Sequence, residues 1–348
     1  MSKSLGNVVD PAEITQQYGA DILRIWTASS DYSDDLRIGK EIIGSAVDAY
    51  RKLRNTLRYL LGALSGFSDA ERLDPKDMPE LERYILHRLA VLDEEVRAGY
   101  EAFDFKQVWR KCLDFASLDL SAFYLDIRKD ALYCDAKSST HRRAAMTVLD
   151  TLHKCLCVWL APILCFTAEE AWQARFPSEN GSVHLELFPE IPANWRDEAL
   201  AKKWQTVRAV RRVATGALEV ERREKRIGSS LEANPTIHVA DADVFALMQA
   251  VDIPELAITS AATLAQGEGP ADAFRLEDVE GVAVVPAEAD ADLTAEHPAK
   301  WAVLVGAPGD EAARWAQGDL PAPVRTLDAG LARAGPVPGG SQFPRAPG

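Results

Sequence analysis

The first residues of the chain carry side chains suited to phosphate chemistry. Met1, Ser2, Lys3 and Ser4 are followed closely by Gly6. A lysine places a point charge on a flexible stem, which suits contact with a polyphosphate. Serine hydroxyls and backbone N–H groups add hydrogen-bond donors that stabilise charge developing on phosphate. A Ser-Lys-Ser tripeptide alone is more often a solvated turn, so the rest of the chain must decide between these interpretations.

Basic stretches are the second group of candidate sites. The stretch "RKLRNTLR" contains Arg51, Lys52, Arg54 and Arg58 without an acid, and "KSSTHRR" contains Lys137, Arg142 and Arg143. Residues 202–226 contain Lys202, Lys203, Arg208, Arg211, Arg212, Arg222, Arg223, Lys225 and Arg226. Such side chains position RNA through phosphate contacts without reading its sequence. The alternative for each is a solvated helix face.

Trp204 lies inside the longest basic stretch, next to Lys203. An aromatic ring beside a cation is suited to stacking on an unpaired base, which is how proteins commonly recognise single-stranded RNA. Packing in the protein core is an equally good interpretation of this tryptophan. The sequence leaves both roles open.

The cysteines favour a reduced, structural role. All five lie between residues 112 and 165, and an odd count without a secretion signal is typical of cytoplasmic thiols. On a helix, the two-residue spacing of Cys155 and Cys157 directs their side chains about 200° apart, which does not suit a shared metal ion. We therefore predict that Cys155 and Cys157 are buried structural cysteines that hold no metal ion.

The charge of the chain is unevenly distributed. Its 348 residues have a formal net charge of −14, and from Ile227 onward 18 acidic residues stand against 6 basic ones. Residues 1–226 are therefore nearly neutral, so the acidic total does not exclude RNA binding there. No apolar run of about 18 residues and no signal peptide is found, which predicts a cytoplasmic protein without a membrane span.

The apolar periodicity predicts a mainly α protein. Asp10, Pro11 and Glu13 are helix-start signals and Gly19 is a stop, followed by a short helix from about Asp21. Apolar residues at three- and four-residue steps predict long helices over about 40–64, 80–101, 105–133, 140–160 and 197–226. A capping box formed by Thr167 and Glu170 predicts another helix start. Residues 40–226 are thus predicted to form a helical bundle.

The pattern changes after residue 226. The segments "PTIHVA", "ELAITSAATLA" and "GVAVVPAEA" are typical of strands, and "DADVFALMQAV" is typical of a helix. Residues 227–297 are predicted to form a small α+β module. Residues 298–348 are rich in Gly, Pro, Ala and Arg without periodicity, which predicts a disordered or out-of-frame tail.

Six long segments resemble the isoleucyl-tRNA synthetases, which are class I aminoacyl-tRNA synthetases. They are "MSKSLGNVVDPAEITQQYGADILRIW", "WTASSDYSDDLRI", "AYRKLRNTLRYLLGAL", "LDLSAFYLDIRKDALYCD", "WLAPILCFTAEEAW" and "EVERREKRIGSSLEA", in the order of the family. The resemblance implies that residues 1–39 hold the end of the Lys-Met-Ser-Lys-Ser signature loop and a stem-contact linker. It also implies that residues 40–226 form an anticodon-binding domain, and that residues 227–297 form the C-terminal module.

The resemblance implies a reaction and its participants. The family joins isoleucine to tRNA(Ile) with ATP and Mg²⁺, and the second lysine of the signature loop, here Lys3, contacts ATP. Three features of the family are missing: the first lysine of the loop, the upstream His-Ile-Gly-His motif with its amino-acid pocket, and the zinc module, since no cysteine follows Cys165.

These departures lead us to expect a C-terminal fragment that is inactive by itself. It would meet isoleucine and ATP only together with the missing N-terminal core. The alternatives are a stand-alone, non-catalytic tRNA-binding module and a helical interaction protein without RNA binding. The sequence does not specify an oligomeric state.

Overall fold

The computed structural model describes residues 9–31 and 35–287, which are mainly α-helical with one small sheet. The predicted signature loop at Met1, Ser2, Lys3 and Ser4 and the predicted tail at 298–348 lie outside these residues. The helices before the sheet are α1 Pro11–Tyr18, α2 Ala20–Ser29, α3 Lys40–Ala63, α4 Glu80–Glu101, α5 Phe105–Asp114, α6 Leu125–Ile127, α7 Lys129–Tyr133, α8 Thr140–Leu160, α9 Cys165–Arg175 and α10 Glu198–Arg223. The predicted long helices are confirmed, apart from the stretch 105–133.

The apolar stripes of the long helices meet in one core. Leu53 and Leu57 of α3, Ile85 and Leu89 of α4, and Trp159 of α8 are at most 2% exposed. Burying one such leucine or isoleucine stabilises a fold by about 1.5–3 kcal/mol. These side chains therefore hold α3, α4 and α8 together, and the polar faces of the same helices remain available to solvent.

The helix pair α1–α2 begins as its sequence predicts. The Asp10 carboxylate accepts a hydrogen bond from the Ala12 N–H at 2.8 Å, and Pro11 occupies the first turn. Gly19 ends α1 with a φ of 90°, a conformation that disfavours residues with a Cβ. The chain then turns directly into α2.

Helix α2 is fastened to the start of α9, where the predicted capping box is wrong. Helix α9 begins at Cys165, so Thr167 lies inside its first turn. The buried Asp21 carboxylate of α2 accepts hydrogen bonds from the Thr167 N–H at 2.8 Å and from its hydroxyl at 2.6 Å. A capping acid from another helix thus satisfies an N–H group that a local cap usually satisfies. Arg24 adds a bond to the Ile163 carbonyl at 2.8 Å.

The predicted helix over 105–133 is interrupted by a π-helical segment, Phe115–Tyr124. Its buried side chains follow a four-residue repeat, consistent with the wider turn that i→i+5 bonding produces. They are Phe115, Ala116, Asp119, Leu120, Phe123 and Tyr124. Apolar spacing of three and four residues does not distinguish an α-helix from this wider helix, so the interruption was not predicted.

A three-stranded sheet follows α10. Strands β1 Thr236–Val239, β2 Thr263–Gln266 and β3 Val282–Val285 have the order β2-β1-β3, with β1 and β2 parallel and β1 and β3 antiparallel. Helices α11 Ala242–Gln249 and α12 Ile253–Ala257 lie between β1 and β2. The strand predicted over "ELAITSAATLA" is wrong in its first half, because Asp252 caps α12 there by accepting from the Glu255 N–H.

Buried ion pairs join the sheet region to the bundle. Arg128 is 2% exposed and donates to both carboxylate oxygens of Glu82 of α4, at 2.6 and 2.9 Å. Its remaining terminal nitrogen donates to Glu255 of α12 at 2.6 Å. One guanidinium group therefore connects the bundle core with the module that carries the sheet.

Cys155 and Cys157 are buried, as predicted, and Cys112 is buried as well. Burial raises the pKa of Cys155 to about 12. The described residues contain no cluster of three or more side chains that could hold a metal ion. Burial likewise raises the pKa of Cys112 and Cys157, so these three thiols are protonated core side chains.

His153 makes the stability of this core depend on pH. The side chain is fully buried, and burial lowers its pKa to about 4. Its unfolded pKa is about 6.5, so the unfolded chain binds more protons between these values and stability falls as the pH falls. We expect His153 to cost about 2 kcal/mol of unfolding free energy between pH 7.5 and 5. Urea titrations at both pH values measure this loss. The variant H153Q is expected to lack this component, and an equal loss in the variant would contradict the assignment.

Candidate RNA-binding surface

The basic residues of α3 lie on one exposed face. Arg51, Arg54 and Arg58 are separated by three and four residues, which places them on one side of a helix. Arg51 lies 3.6 Å from Asp48 and Arg54 lies 3.3 Å from Glu170. Arg58 has no ion-pair partner within the described ranges, and exposed Lys52 is likewise unpaired there. This face therefore presents free positive charge.

Trp204 is a core residue, which corrects the stacking alternative. The side chain is 5% exposed, and its ring stacks on that of Tyr84 with the centroids 5.5 Å apart. Its Nε1–H donates to Glu80 at 2.9 Å, and Lys203 also pairs with Glu80 at 2.8 Å. Because the side chain is buried, with one ring face against Tyr84 and its N–H bound to Glu80, Trp204 is not available to an RNA base.

Arg208 and Arg211 also point into the bundle rather than into solvent. Their guanidinium carbons lie 4.6 and 5.5 Å from the ring centroid of Phe123. Arg208 pairs with Asp119, and Arg211 donates to the Leu256 carbonyl at 2.8 Å. These two cations fasten α10 to the π-helical segment and to α12. Their predicted role as RNA contacts does not fit this placement.

The remaining cations of residues 202–226, in α10 and just after it, lie on the surface and differ in whether they form ion pairs. Arg212 pairs with Asp278 at 2.6 Å, Arg222 pairs with Glu219, and Arg226 pairs with Glu221 and Glu224. Lys202 and Arg223 are exposed and form no ion pair with the described part of the chain. Among the basic residues predicted to contact RNA, those that are exposed and form no ion pair with the described residues are therefore Lys52, Arg58, Lys137, Lys202, Arg223 and Lys225.

The stretch "KSSTHRR" is mostly structural. Arg142 donates to the Asp135 carbonyl at 2.9 Å, and Arg143 donates to the Glu71 carbonyl at 3.0 Å. Lys137 remains exposed. Arg143 thus holds the loop before α4 against the start of α8, and Arg142 holds the loop that joins α7 to α8.

A cleft that the sequence did not predict lies between α4, the π-helical segment and α10. We call it the α4–α10 cleft; its volume is about 660 Å³. Its walls are Tyr84, His87, Arg88, Leu92, Glu95, Lys111, Asp114, Phe115, Leu118, Asp119, Glu198, Ala201, Lys202, Gln205 and Arg208. The residues from α4 and from α10 recur at three- and four-residue steps. That pattern was visible in the sequence, but which two helix faces oppose each other was not.

Two further predictions concern the signature loop and the absence of a membrane span. Lys3 and the rest of the signature loop lie outside the described residues, so the structure gives no contact for them. Within the part of the chain that is described, none of the helices is both long enough and apolar enough to span a bilayer.

Comparison with known families matches the two regions separately. A family profile described as "Anticodon-binding domain of tRNA ligase" matches residues 82–237. A second, described as "tRNA synthetases class I (I, L, M and V)", matches residues 1–39. The first match covers α4 to α10 and the start of the sheet, so it includes both walls of the α4–α10 cleft.

Curated relatives cover most of the chain. The isoleucine–tRNA ligase of Agrobacterium fabrum is 57% identical over 283 residues, which are 81% of this chain and 29% of the relative. Those of Mesorhizobium japonicum and Ruegeria pomeroyi are 56% and 55% identical, covering 83% and 82% of this chain and 29% of each relative. The chain thus spans about 29% of the length of these relatives. It belongs to the isoleucine–tRNA ligase family of class I aminoacyl-tRNA synthetases.

Proposed function

We propose that this chain supplies the anticodon-arm-binding part of an isoleucine–tRNA ligase, with tRNA(Ile) as its partner in the cytoplasm. The observation that carries the proposal is that several exposed cations, among them Arg58, Lys202 and Arg223, form no ion pair with the described residues of a chain of net charge −14. Free cations release counterions from phosphates, whereas cations already paired with carboxylates have less charge to offer. The match of residues 82–237 to an anticodon-binding domain supports the same partner.

The proposal separates RNA binding from catalysis. In the whole ligase, Lys3 would meet ATP with its Mg²⁺. A lysine on one side of a reacting phosphate is effective only when catalytic groups are also positioned on the other side. Because the sequence contains no His-Ile-Gly-His motif, we assign no catalytic step to this chain by itself.

Salt-dependent binding of tRNA(Ile) tests the proposal. We expect the unmodified chain to bind, with an affinity that falls steeply as salt rises. The triple variant R58Q/K202Q/R223Q is expected to bind more weakly, with a slope of log affinity against log salt that is shallower by about one unit for each lost phosphate contact. Filter binding over a salt series measures both quantities.

A second triple variant controls for net charge. R212Q/R222Q/R226Q removes the same number of charges but takes them from arginines that are paired with carboxylates. We expect a smaller change of slope in this variant. Equal losses in both variants would contradict the role of the free cations. An absence of binding even at low salt would favour a helical interaction protein instead.

A further inference from the structure

We propose that His87 is a pH-sensitive latch that holds the start of α10 against α4, and that a second proton on its ring releases this start. The inference goes beyond the proposed function and does not depend on RNA binding. The latch acts on residues 190–202, which we call the α10 entry segment. Before this segment, Arg97 of α4 donates to the Pro189 carbonyl at 2.7 Å. After it, Lys203 forms an ion pair with α4 at 2.8 Å. Release is therefore confined between these two contacts.

The latch is one hydrogen bond whose direction is fixed by chemistry. The backbone nitrogen of Asp197 lies 2.9 Å from Nδ1 of His87. A backbone N–H can only donate, so Nδ1 accepts, and the single proton of the neutral ring is on Nε2. When the imidazole binds a second proton, both ring nitrogens become donors. Two N–H groups would then point at each other, so the protonated ring cannot keep this bond.

The bond lies at the residue that begins α10. Asp197 is the N-cap of the helix, and its carboxylate accepts the Leu200 N–H at 2.9 Å. The His87 side chain is 2% exposed, so the bond has a buried acceptor. Arg196 adds an ion pair with Glu94 of α4 at 2.5 Å, but both side chains are exposed, and such pairs contribute little. Loss of the buried bond is therefore not replaced by this neighbouring contact.

Charged groups face His87 from several elements and largely offset one another. Burial has the largest influence on the pKa of His87 and lowers it. Glu198 and Asp197 of the entry segment act in the opposite direction, whereas Arg88 of α4 and Arg196 add to the lowering. The α4–α10 cleft beside the ring adds six charged side chains from α4, α5, the π-helical segment and α10, and all but Lys202 form ion pairs: Glu95, Lys111, Asp114, Asp119, Lys202 and Arg208. The ring is therefore neutral while the latch is closed.

Proton linkage sets the direction of the pH effect. When the entry segment opens, the ring is hydrated and its pKa returns to about 6.5. The pKa is lower in the closed form, so the open form binds more protons as the pH falls. Acid therefore favours opening. From pH 7.5 to 5.5 the equilibrium constant for opening is expected to rise by about three- to tenfold, where tenfold is the limit for a group that titrates at about 6.5 only in the open form.

Amide hydrogen exchange tests the latch. The protection factor of the Asp197 N–H reports the opening equilibrium, and we expect it to fall by about three- to tenfold from pH 7.5 to 5.5 in the unmodified chain. In the variant H87Q, the glutamine oxygen can still accept this N–H but does not titrate, so the protection factor should stay constant within about twofold. H153Q is the matched control. It removes a second buried histidine, outside the entry segment, and should keep the fall.

Three results would overturn the latch. One is a protection factor that does not change with pH in the unmodified chain. Another is an equal fall in H87Q, because a group other than His87 would then be titrating. The third is a fall that persists in H87Q but disappears in H153Q, which would assign the effect to unfolding of the whole bundle. Nitrogen NMR of the unmodified chain provides a check without a variant. The Nδ1 of His87 must have the chemical shift of an unprotonated nitrogen at pH 7.5, and a protonated Nδ1 at that pH would refute the latch.

Discussion

Replacing Arg128 with leucine is expected to lower the free energy of unfolding by about 3–5 kcal/mol, the usual cost of removing one partner of a buried ion pair. Glu82 is fully buried, and Arg128 provides two of the hydrogen bonds to its carboxylate. Burial acts against the charged guanidinium, but Glu82 and Glu255 outweigh it and raise the pKa of Arg128. Without Arg128, the Tyr124 hydroxyl at 3.1 Å is the one hydrogen-bond partner that the described residues leave to the Glu82 carboxylate. Denaturant unfolding of R128L measures the loss.

The double variant E82Q/R128L separates a buried unpaired charge from lost packing. Glutamine removes the charge of Glu82, so we expect the double variant to regain a large part of the stability lost in R128L. If the double variant is as unstable as the sum of the two single variants, the ion pair is not the source of the loss. The variant E255Q, whose carboxylate side chain is 36% exposed, is expected to cost much less.

Replacing Trp204 with alanine is expected to destabilise the bundle by about 3–5 kcal/mol, the usual cost of truncating a buried tryptophan. The ring stacks on Tyr84 and packs edge-on against Phe123, with centroids 5.5 and 6.1 Å away. At low temperature, where the variant is still folded, we expect its affinity for a hairpin RNA with the anticodon stem and loop of tRNA(Ile) to stay within about twofold of that of the unmodified chain. Loss of a base contact would weaken binding about tenfold. Thermal unfolding and filter binding on the same preparation measure the two effects.

The variant W204F is the control for this assignment. Phenylalanine keeps an aromatic ring for Tyr84 but loses the N–H that Glu80 accepts. We expect an intermediate loss of stability and no loss of RNA affinity. A variant that is stable but binds RNA at least tenfold more weakly would contradict the core assignment and restore the stacking role.

The structure explains why the basic stretch of α10 was only partly predictable. Trp204 and Val207 belong to the apolar stripe, and Arg208 and Arg211 each follow one of them by four residues. Cations in this position border the core and are well placed to meet buried acids. The sequence carries this signal, but it does not say that Asp119, 89 residues away, is the acid that Arg208 meets.

The α4–α10 cleft was less predictable still. Its walls come from separate parts of the chain, and each wall shows ordinary helical spacing when it is considered alone. In its wall, the Nδ1 of His87 accepts the backbone N–H of Asp197, which lies 110 residues from it in sequence. No local pattern around His87 contains that information.

The sequence by itself determined the long helices, the family and the candidate cations, because periodicity, capping residues and long motifs are local properties of the chain. Tertiary structure alone decided which cations are free, how α9 is capped, and where the π-helical segment and the cleft lie. The physical reason is that a charge is neutralised by whatever acid is near it in space. Asp21 and Thr167 are 146 residues apart in sequence yet share a hydrogen bond of 2.6 Å. Such partners are set by packing of the apolar faces, which brings distant polar groups together only after the helices have assembled.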